Sequence, residues 1–346
     1  MRKQFQRFRR AISLAGSAVR SVAFSPKEAV RLLARPASET TQMYADSARL
    51  RAEMRIDVGA LNARFAPAPF ASFASQVVAA AHFDDEAFLD WFPLVRDGTV
   101  RYHRKWWEYA FMLERARQAG VLEPDRRALG FGVGTEPLPA ILASWGLKVL
   151  ATDQAAEDAG EWAESGQHAD SLASLSRPLV IDDVTLAERV EFATVDMNEV
   201  PDDLGTFDLV WSSCAFEHLG SPQAGLRFVM RSLDYLRPGA VAIHTTEFEL
   251  TERTETADYG HCAIYRPQDL EQLASEVVER GFEIELNLHV PMATPQDRFI
   301  ALATAQPQPT DIAHLKLVVG GSISTSIGLA IRKPAADSSD IPRGVS

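Results

Sequence analysis

The sequence contains very few cysteines and no long hydrophobic run. Only Cys214 and Cys262 occur among 346 residues, which excludes a disulfide framework and a four-thiolate zinc site. No stretch approaches the ~20 apolar residues that a membrane-spanning helix requires, and the first apolar stretch, 11–24, is interrupted by Arg20. Together these features predict a cytoplasmic protein, and the 46% of apolar residues suffice for a sizeable core.

Basic residues are scarce outside the N-terminal head. Residues 1–35 hold nine of the 35 Lys and Arg residues but only one of the 47 acidic residues, so the rest of the chain is strongly acidic. An acidic body repels phosphates, which makes nucleic acid an unlikely partner. In the head, apolar residues recur at three- and four-residue spacing beside arginines, the pattern of a basic amphipathic helix. A disordered tail, a helix that makes peripheral contact with a membrane or a partner through residues 1–24, and a transit peptide remain alternative interpretations.

The rest of the chain divides into three predicted parts. Residues 36–101 are punctuated by Ala, Ser and Pro and then become helical, which predicts a linker and a helical lid. Short apolar runs alternate with helical stretches over 102–334, as expected for parallel strands in an α/β doubly wound sheet. Near its end, segments 282–290 and 322–332 alternate apolar and polar residues and predict an antiparallel pair at the sheet edge. Residues 335–346 are predicted to be a disordered tail.

A glycine-rich loop, Gly130-Phe-Gly-Val-Gly134, lies between the first predicted strand of this domain and a helix. Glycines at this place let a ligand approach the backbone closely. Glu136 follows where a dinucleotide would put its diphosphate, which a carboxylate repels, whereas S-adenosylmethionine (SAM) has no phosphate and carries two cationic groups. The loop also lacks the lysine of a P-loop.

Carboxylates end the next two predicted strands. Asp153 is placed to accept hydrogen bonds from both ribose hydroxyls, a role common to NAD and SAM sites. Asp196, followed by Met197, is placed to accept a hydrogen bond from an adenine amino group. Because ligands bind at the carboxyl ends of such strands, two acids at consecutive strand ends favour a nucleoside site over two surface residues.

From Tyr102 to Pro334 the chain resembles class I SAM-dependent methyltransferases. The loop with Gly130, Gly132 and Gly134 resembles their SAM loop, and Asp153 and Asp196–Met197 their ribose and adenine sites. Segment 207–218 resembles the fourth strand, whose Ser212 joins the expected donor contacts. The strings GFGVGTEPLP and SCAFEHLG resemble a bacterial subgroup.

The resemblance implies a Rossmann-like, mostly parallel seven-stranded sheet with an antiparallel C-terminal edge strand and an N-terminal helical extension. It also implies SAM as the cofactor, and it implies that the helix around Trp106, Trp107 and Tyr109 covers the donor, although aromatics at helical spacing also fit a plain core helix. Most members carry an acid where this loop has Gly130; Glu136 is the compensating charge.

Several candidate bases are expected near the methyl group. Methyl transfer is an in-line displacement that demands alignment, and an oxygen acceptor must also lose its proton. Glu217 and His218 follow the fourth strand, His244 and Glu247 lie on the fifth, and His261 is in a loop. His218 is the first choice, because imidazole titrates near neutral pH. The spacing of His218, Glu247 and His261 is not diagnostic of a metal site, and none is predicted.

The leading hypothesis is an enzyme that methylates a small-molecule, glycan or lipid-linked acceptor, with oxygen as the favoured nucleophile. An NAD-dependent oxidoreductase or epimerase is an alternative that Glu136 opposes. A SAM-binding protein without catalysis is a second alternative, with which Gly130 is compatible. The sequence predicts no oligomeric state.

Overall fold

The computed structural model describes residues 37–54, 56, 58–96, 101–164, 166–259, 262–302 and 313–335. The predicted head, residues 1–35, lies outside the described residues, as do 336–346 of the predicted tail. The candidate base His261 lies outside them as well. Within the described ranges, no helix combines the length and the apolar character needed to cross a membrane.

Helices and strands alternate through most of the described chain. The helices are α1 (Ala37–Glu53), α2 (Gly59–Arg64), α3 (Glu86–Val95), α4 (Arg104–Gln118), α5 (Leu138–Ser144), α6 (Gly160–Glu164), α7 (Asp183–Arg189), α8 (Pro222–Ser232), α9 (Pro267–Glu279) and α10 (Pro295–Arg298). The strands are β1 (Ser75–Val77), β2 (Arg127–Phe131), β3 (Lys148–Asp153), β4 (Val190–Thr194), β5 (Phe207–Ser213), β6 (Leu236–Glu249), β7 (Ala257–Asp258), β8 (Ala263–Ile264), β9 (Glu283–Ile284), β10 (Leu286–Asn287), β11 (Ile300–Leu302), β12 (Lys316–Val319) and β13 (Ser322–Arg332).

One large sheet organises the molecule, with the strand order β10-β1-β13-β6-β5-β2-β3-β4. Strands β4, β3, β2, β5 and β6 lie side by side in this order and run parallel to one another. Strand β13 is antiparallel to β6. Strand order reverses between β2 and β5, the place where open α/β sheets form a ligand crevice. The predicted α/β, Rossmann-like, mostly parallel fold is therefore confirmed.

Local sequence explains the helices that border this crevice. At the start of α4, the ring of His103 accepts a hydrogen bond from the backbone N–H of Lys105. Ser221 caps α8 by accepting from the backbone N–H of Ala224, and Pro222 occupies the first turn, where a missing N–H costs nothing. Both helices thus begin where capping residues stand.

The core has two layers, one on each face of the sheet. Alternation along β5 sends Trp211 to the layer that contains α4 and Val210 to the layer that contains α8. Helix α4 packs against β5, β6 and β13 and is buried along almost its whole length from Trp107 to Ala116. It is therefore a core helix as well as a neighbour of the crevice.

The sheet is larger than the seven strands expected, because eleven strands pair in it. The antiparallel strand β13 is not at the edge: it lies between β6 on one side and β12, β1 and β9 on the other. Strand β1 comes from the segment expected to be linker and lid. Its three residues are too short for sequence alternation to reveal, and it forms only because β13 offers an open edge.

Candidate active site

A cavity of about 230 Å³ opens at the carboxyl ends of β2, β3, β4 and β5. Its lining includes seven of the residues expected at the site: Gly132, Gly134, Glu136, Asp153, Asp196, Met197 and His218. Carboxyl ends of parallel strands converge at one edge of a sheet, so these residues meet in space although they span much of the sequence.

The glycine loop turns sharply over the end of β2. Gly132 and Gly134 have φ of 57° and 49°, a region that side chains other than glycine rarely adopt. A Cβ on Gly132 would also approach the Cβ of Ala215 to 2.9 Å and the sulfur of Met197 to 3.2 Å. A side chain at position 132 would therefore crowd the residues that follow β4 and β5.

Three consecutive backbone N–H groups at the end of this loop are already hydrogen-bonded within the protein. That of Gly134 donates to Asp153 Oδ2 at 2.9 Å, that of Thr135 to the Gln167 carbonyl at 3.0 Å, and that of Glu136 to the Val133 carbonyl at 3.2 Å. A diphosphate binds such a loop through these same N–H groups. The loop is therefore not arranged to receive one.

Trp211 explains why glycine stands at position 130. A Cβ on Gly130 would overlap the six-membered ring of Trp211, which lies across it from the neighbouring strand. The indole N–H of Trp211 donates to Glu136 Oε1 at 2.6 Å, and both side chains are buried. The resemblance places an acid at position 130. In this protein the ring of Trp211 fills the space beside Gly130, and its indole N–H holds the carboxyl group of Glu136 at the cavity wall.

The carboxyl group of Glu136 is held away from water. Burial raises the pKa of Glu136 to about 8, although the hydrogen bond from Trp211 and the charge of Lys105 act in the opposite direction. At neutral pH the side chain therefore retains a proton, and an approaching cation would favour its ionised form.

Asp153 holds the loop together as well as lining the cavity. Its Oδ2 accepts from the backbone N–H groups of Gly134 and Ala169, and its Oδ1 accepts from that of Gln154. A carboxylate has about four acceptor positions, so one position on Oδ1 is left for a hydroxyl. Asp153 therefore has a structural role, and it can accept from one ribose hydroxyl and not from both as expected.

Asp196 and Met197 form the opposite wall. Asp196 is exposed, and its Oδ1 accepts from the backbone N–H of Asn198 at 2.8 Å. Met197 is half-buried beside Gly132. This wall offers an exposed carboxylate and an apolar thioether, which together suit the edge and face of an aromatic base.

His218 lies at the end of the cavity that faces β5. Its ring makes an edge-to-face contact with Trp162, with ring centroids 4.6 Å apart. Cys214, which has φ of 49°, lines the wall nearby. Burial and the charge of Glu108 raise the pKa of the Cys214 thiol, so it stays protonated and is a poor nucleophile.

Helix α4 contributes two residues to the cavity lining, and one of them, Tyr109, belongs to the group expected to cover the donor. Lys105 and Tyr109 reach the cavity from α4, so the helix expected to cover the donor does contact the cavity, through residues other than Trp107. Lys105 is ion-paired with buried Glu108 at 2.8 Å and is not available as an isolated cation. The four-residue spacing of Lys105 and Tyr109 is the signal that places them on one helix face.

The serine expected to contact the donor points the other way. Ser212 is completely buried, and its hydroxyl pairs with His244 Nδ1 at 2.8 Å. Its neighbour Ser213 lines the cavity instead, and its buried hydroxyl has no hydrogen-bond partner among the described residues. Successive residues of a strand face opposite sides, so a shift of one position corrects the assignment.

His244 occupies a core position. Its second ring nitrogen pairs with Ser232 Oγ at 3.0 Å, and burial lowers its pKa to about 3. The ring is therefore neutral, satisfied on both nitrogens and absent from the cavity lining. His244 was expected near the methyl group, but side chains alternate along β6 and that of His244 faces the core.

Glu217 and Glu247 lie behind the cavity wall in a buried charged cluster. Glu247 is ion-paired with Arg104, while burial and the charge of Glu247 raise the pKa of Glu217 to about 8. Glu217 Oε2 accepts from Thr246, and Oε1 has no partner within the described part of the chain. Neither carboxylate is among the residues that line the cavity.

Three potential metal ligands come together in this cluster. Ligand atoms of Cys214, Glu217 and Glu247 lie within 4.8 Å of one another. Arg104 already neutralises Glu247, and Lys105 contributes a second cation beside Cys214. Two nearby positive charges oppose a divalent ion, so the residues do not fit a metal centre.

Comparisons with known proteins match at the level of structure only. No family model and no curated protein matches the sequence. A sarcosine dimethylglycine methyltransferase described as putative, from Galdieria sulphuraria, is 13% identical over 65% of this chain and 85% of its own, with a TM-score of 0.38. The glycopeptide N-methyltransferase MtfA complexed with sinefungin is 16% identical over 66% and 87%, also with a TM-score of 0.38.

A third solved structure is a SAM-dependent methyltransferase from Mesorhizobium loti, 15% identical over 62% of this chain and 94% of its own, with a TM-score of 0.37. These similarities are too distant to assign an activity to the chain. The assignment therefore depends on the residues of the cavity.

Proposed function

We propose that the protein is a SAM-dependent methyltransferase whose donor occupies the cavity at the ends of β2, β3, β4 and β5. One observation carries the proposal: the cavity combines a glycine loop whose N–H groups are internally bonded with three carboxylates, those of Glu136, Asp153 and Asp196. Such a site suits a cationic nucleoside and disfavours a diphosphate.

Each carboxylate has a place in this proposal. Glu136, held by Trp211, faces the positive charge of the donor. Asp153 accepts from the ribose through Oδ1, and Asp196 with Met197 binds the adenine. The unpartnered hydroxyl of buried Ser213 supports the presence of a ligand, because buried polar groups are rarely left without a hydrogen bond.

SAM supplies an activated methyl group on a cationic sulfur, and the protein supplies alignment and proton removal. In our proposal the acceptor is a hydroxyl of a small molecule, a glycan or a lipid-linked intermediate. As the hydroxyl oxygen forms its bond to the methyl carbon, the carbon–sulfur bond breaks and its electron pair stays on sulfur. His218 accepts the hydroxyl proton, because it is the histidine at the β5 end of the cavity.

The alternatives are less well supported by the same contacts. An NAD-dependent oxidoreductase would need loop N–H groups that here bond to Asp153, Gln167 and Val133. A non-catalytic SAM-binding protein was suggested by the lack of an acid at Gly130, but Glu136 and Trp211 account for that glycine. Peripheral membrane contact through residues 1–24 stays a prediction, since those residues lie outside the described chain.

Transfer of a radiolabelled methyl group tests the proposal directly. The full-length protein is incubated with methyl-tritiated SAM and a cell extract, and the labelled product is separated by solubility class. We expect label in small-molecule, glycan or lipid fractions and none in nucleic acid. Absence of any protein-dependent labelling, together with tight SAM binding, would support the non-catalytic alternative.

A further inference from the structure

A second cavity, of about 750 Å³, lies at the carboxyl end of β1. Strand β1 is antiparallel to β13, which is antiparallel to β6, so β1 and β6 run in the same direction. The second cavity therefore opens at the same edge of the sheet as the first, but on the far side of β13. Its volume falls within the range of small-molecule sites, roughly 300–1,000 Å³.

The walls of this cavity are largely apolar. Phe70, Val77 and Met292 line it together with several alanines and prolines. The ring of His82 completes the wall: its Nδ1 accepts from the Trp107 indole N–H at 2.9 Å, and its Nε2 pairs with the Ala68 carbonyl at 3.0 Å. Because both ring nitrogens are satisfied and burial lowers the pKa of His82 to about 4, this wall carries no charge.

One polar atom is left unsatisfied in the wall. The side chain of Gln76 is 3% exposed, and its Oε1 has no hydrogen-bond partner among the described residues. Its Nε2 is directed at the Pro69 carbonyl, at 3.5 Å. Exchanging the amide oxygen and nitrogen would set two oxygens against each other, so the atom left for a ligand is the acceptor.

Charge around the cavity disfavours an anionic ligand. No lysine or arginine occurs among the described lining residues, whereas Asp84, Asp85 and Asp297 do. The buried carboxylate of Asp297 is already satisfied by the backbone N–H of Ala80 and by the N–H and hydroxyl of Thr294. Because Asp84 is ion-paired with Arg101, a carboxylate or phosphate placed here would be repelled by Asp85 and Asp297 and would find no lysine or arginine in the described lining to bind it.

We propose that this second cavity binds an uncharged amphiphile, with an apolar body against Phe70, Val77 and Met292 and a single hydroxyl or amide N–H donated to Gln76 Oε1. The site is separate from the donor site, because no residue lines both cavities. Helix α4 stands between them, with Lys105 and Tyr109 at the first cavity and Trp107 bonded to the wall of the second. The inference does not depend on the methyltransferase proposal.

Three probes of equal chain length test the predicted chemistry on the full-length protein. Decanol carries a donor, decyl methyl ether lacks one, and decanoate is an anion. We expect calorimetry to show that decanol binds about tenfold more tightly than the ether, the ratio expected for one buried hydrogen bond, and that decanoate binds most weakly. Equal affinities for all three, or tightest binding of decanoate, would contradict the proposal.

Two substitutions locate the binding. Gln76→Met keeps the side-chain length but removes the acceptor, so it should erase the preference for decanol while the ether still binds. Ala81→Trp, at an exposed position of the lining, should block both probes. The far-ultraviolet circular dichroism spectrum of each variant serves as the folding control and should stay unchanged. Undiminished decanol binding in Ala81→Trp would place the ligand elsewhere and overturn the site.

Discussion

The donor half of the sheet, β2 to β5, and the edge half, formed by β1 and β9 to β13, are built in different ways. Strands of the donor half have five to seven residues and run parallel in a continuous series. In the edge half β1, β9 and β10 have only two or three residues and pair around β13, which has eleven. The site in the donor half is formed by the loops that follow its strands, and each loop is a short stretch of sequence. The edge half instead depends on contacts between parts of the chain that are distant in sequence.

That difference predicts that substitutions in the two halves affect different measurements. Changes in the donor half should alter SAM binding with little loss of folding. Changes in the edge half should alter stability or the second cavity and leave SAM binding intact. The following experiments separate these outcomes, beginning with the largest expected effect.

Gly134→Val should nearly abolish SAM binding. The substitution forces a β-branched residue to a φ of 49° and drives its Cβ into the Gln167 carbonyl, which holds the loop. We expect affinity to fall about 100-fold or more in calorimetry. Gly320→Val is the matched control, since it has a φ of 57° and its Cβ would overlap Tyr259 in the edge half. The control should lower the melting temperature and bind SAM normally; equal losses in both variants would remove the distinction.

His218→Ala should slow methyl transfer by about 100-fold while changing SAM affinity less than about threefold, because a general base acts on the acceptor proton. Tritium incorporation and calorimetry measure the two effects. His168→Ala is the control: this histidine also lines the cavity, but its ring pairs with the Gln154 carbonyl on the donor side. If His168→Ala slowed transfer as much as His218→Ala, the choice of base would be wrong.

Glu136→Gln should weaken SAM binding about tenfold, because the carboxylate that Trp211 holds would no longer balance the donor's charge. Native protein should also release a proton on binding near neutral pH, since the cation lowers the raised pKa of Glu136. Calorimetry in buffers of different ionisation enthalpy measures that proton. A variant that released the same number of protons as the native protein would rule out Glu136 as its source.

The stability of the ligand-free protein should fall as pH rises from about 6.5 to about 8, above the range in which the lowered pKa values of the buried histidines His82 and His244 act in the opposite direction. The pKa values of Glu136 and Glu217 are both raised to about 8 by burial, so the folded state retains protons that the unfolded chain releases near its ordinary carboxyl pKa. The contribution of these two acids to stability is therefore greatest below their unfolded pKa and is lost as pH rises through about 8. Denaturant titrations across this range should show a smaller decline in Glu136→Gln and Glu217→Gln, and an unchanged slope would contradict the burial of these acids.

Asp196→Asn should have the smallest effect, a loss of SAM affinity of about fivefold, because an exposed hydrogen bond contributes little. Its stability should be unchanged. Asp153→Asn is the informative comparison, since Asp153 also accepts three loop N–H groups and should lose stability as well as affinity. Loss of stability in Asp196→Asn alone would reverse the roles given to the two acids.

Much of the donor half could be predicted because its signals are local. The glycine loop and the acids at strand ends are each encoded by a few adjacent residues. The exchange of the loop acid for Trp211 and Glu136 could not be foreseen, because it involves a residue 81 positions beyond Gly130 on the neighbouring strand. Ser212 and His244 were misplaced because strand periodicity says which residues share a face, but not which face meets the cavity.

The edge half was predicted less well for the same reason. The span of β13 matches its alternating segment, 322–332, yet β1, β9 and β10 are too short to have a period. Strands β1 and β9 are specified by pairing with β13, which brings residue 76 beside residue 328, and β10 is specified by pairing with β1. The second cavity exists only through that pairing, so no local pattern reveals it.

Calorimetric titration of the full-length protein with SAM and with NAD tests the central assignment most directly. The carboxylates of Glu136, Asp153 and Asp196 and the internally bonded loop predict heat of binding with SAM and none with NAD. Binding of NAD alone would contradict the account, since the crevice would then accept a diphosphate although the N–H groups of Gly134, Thr135 and Glu136 are bonded within the protein.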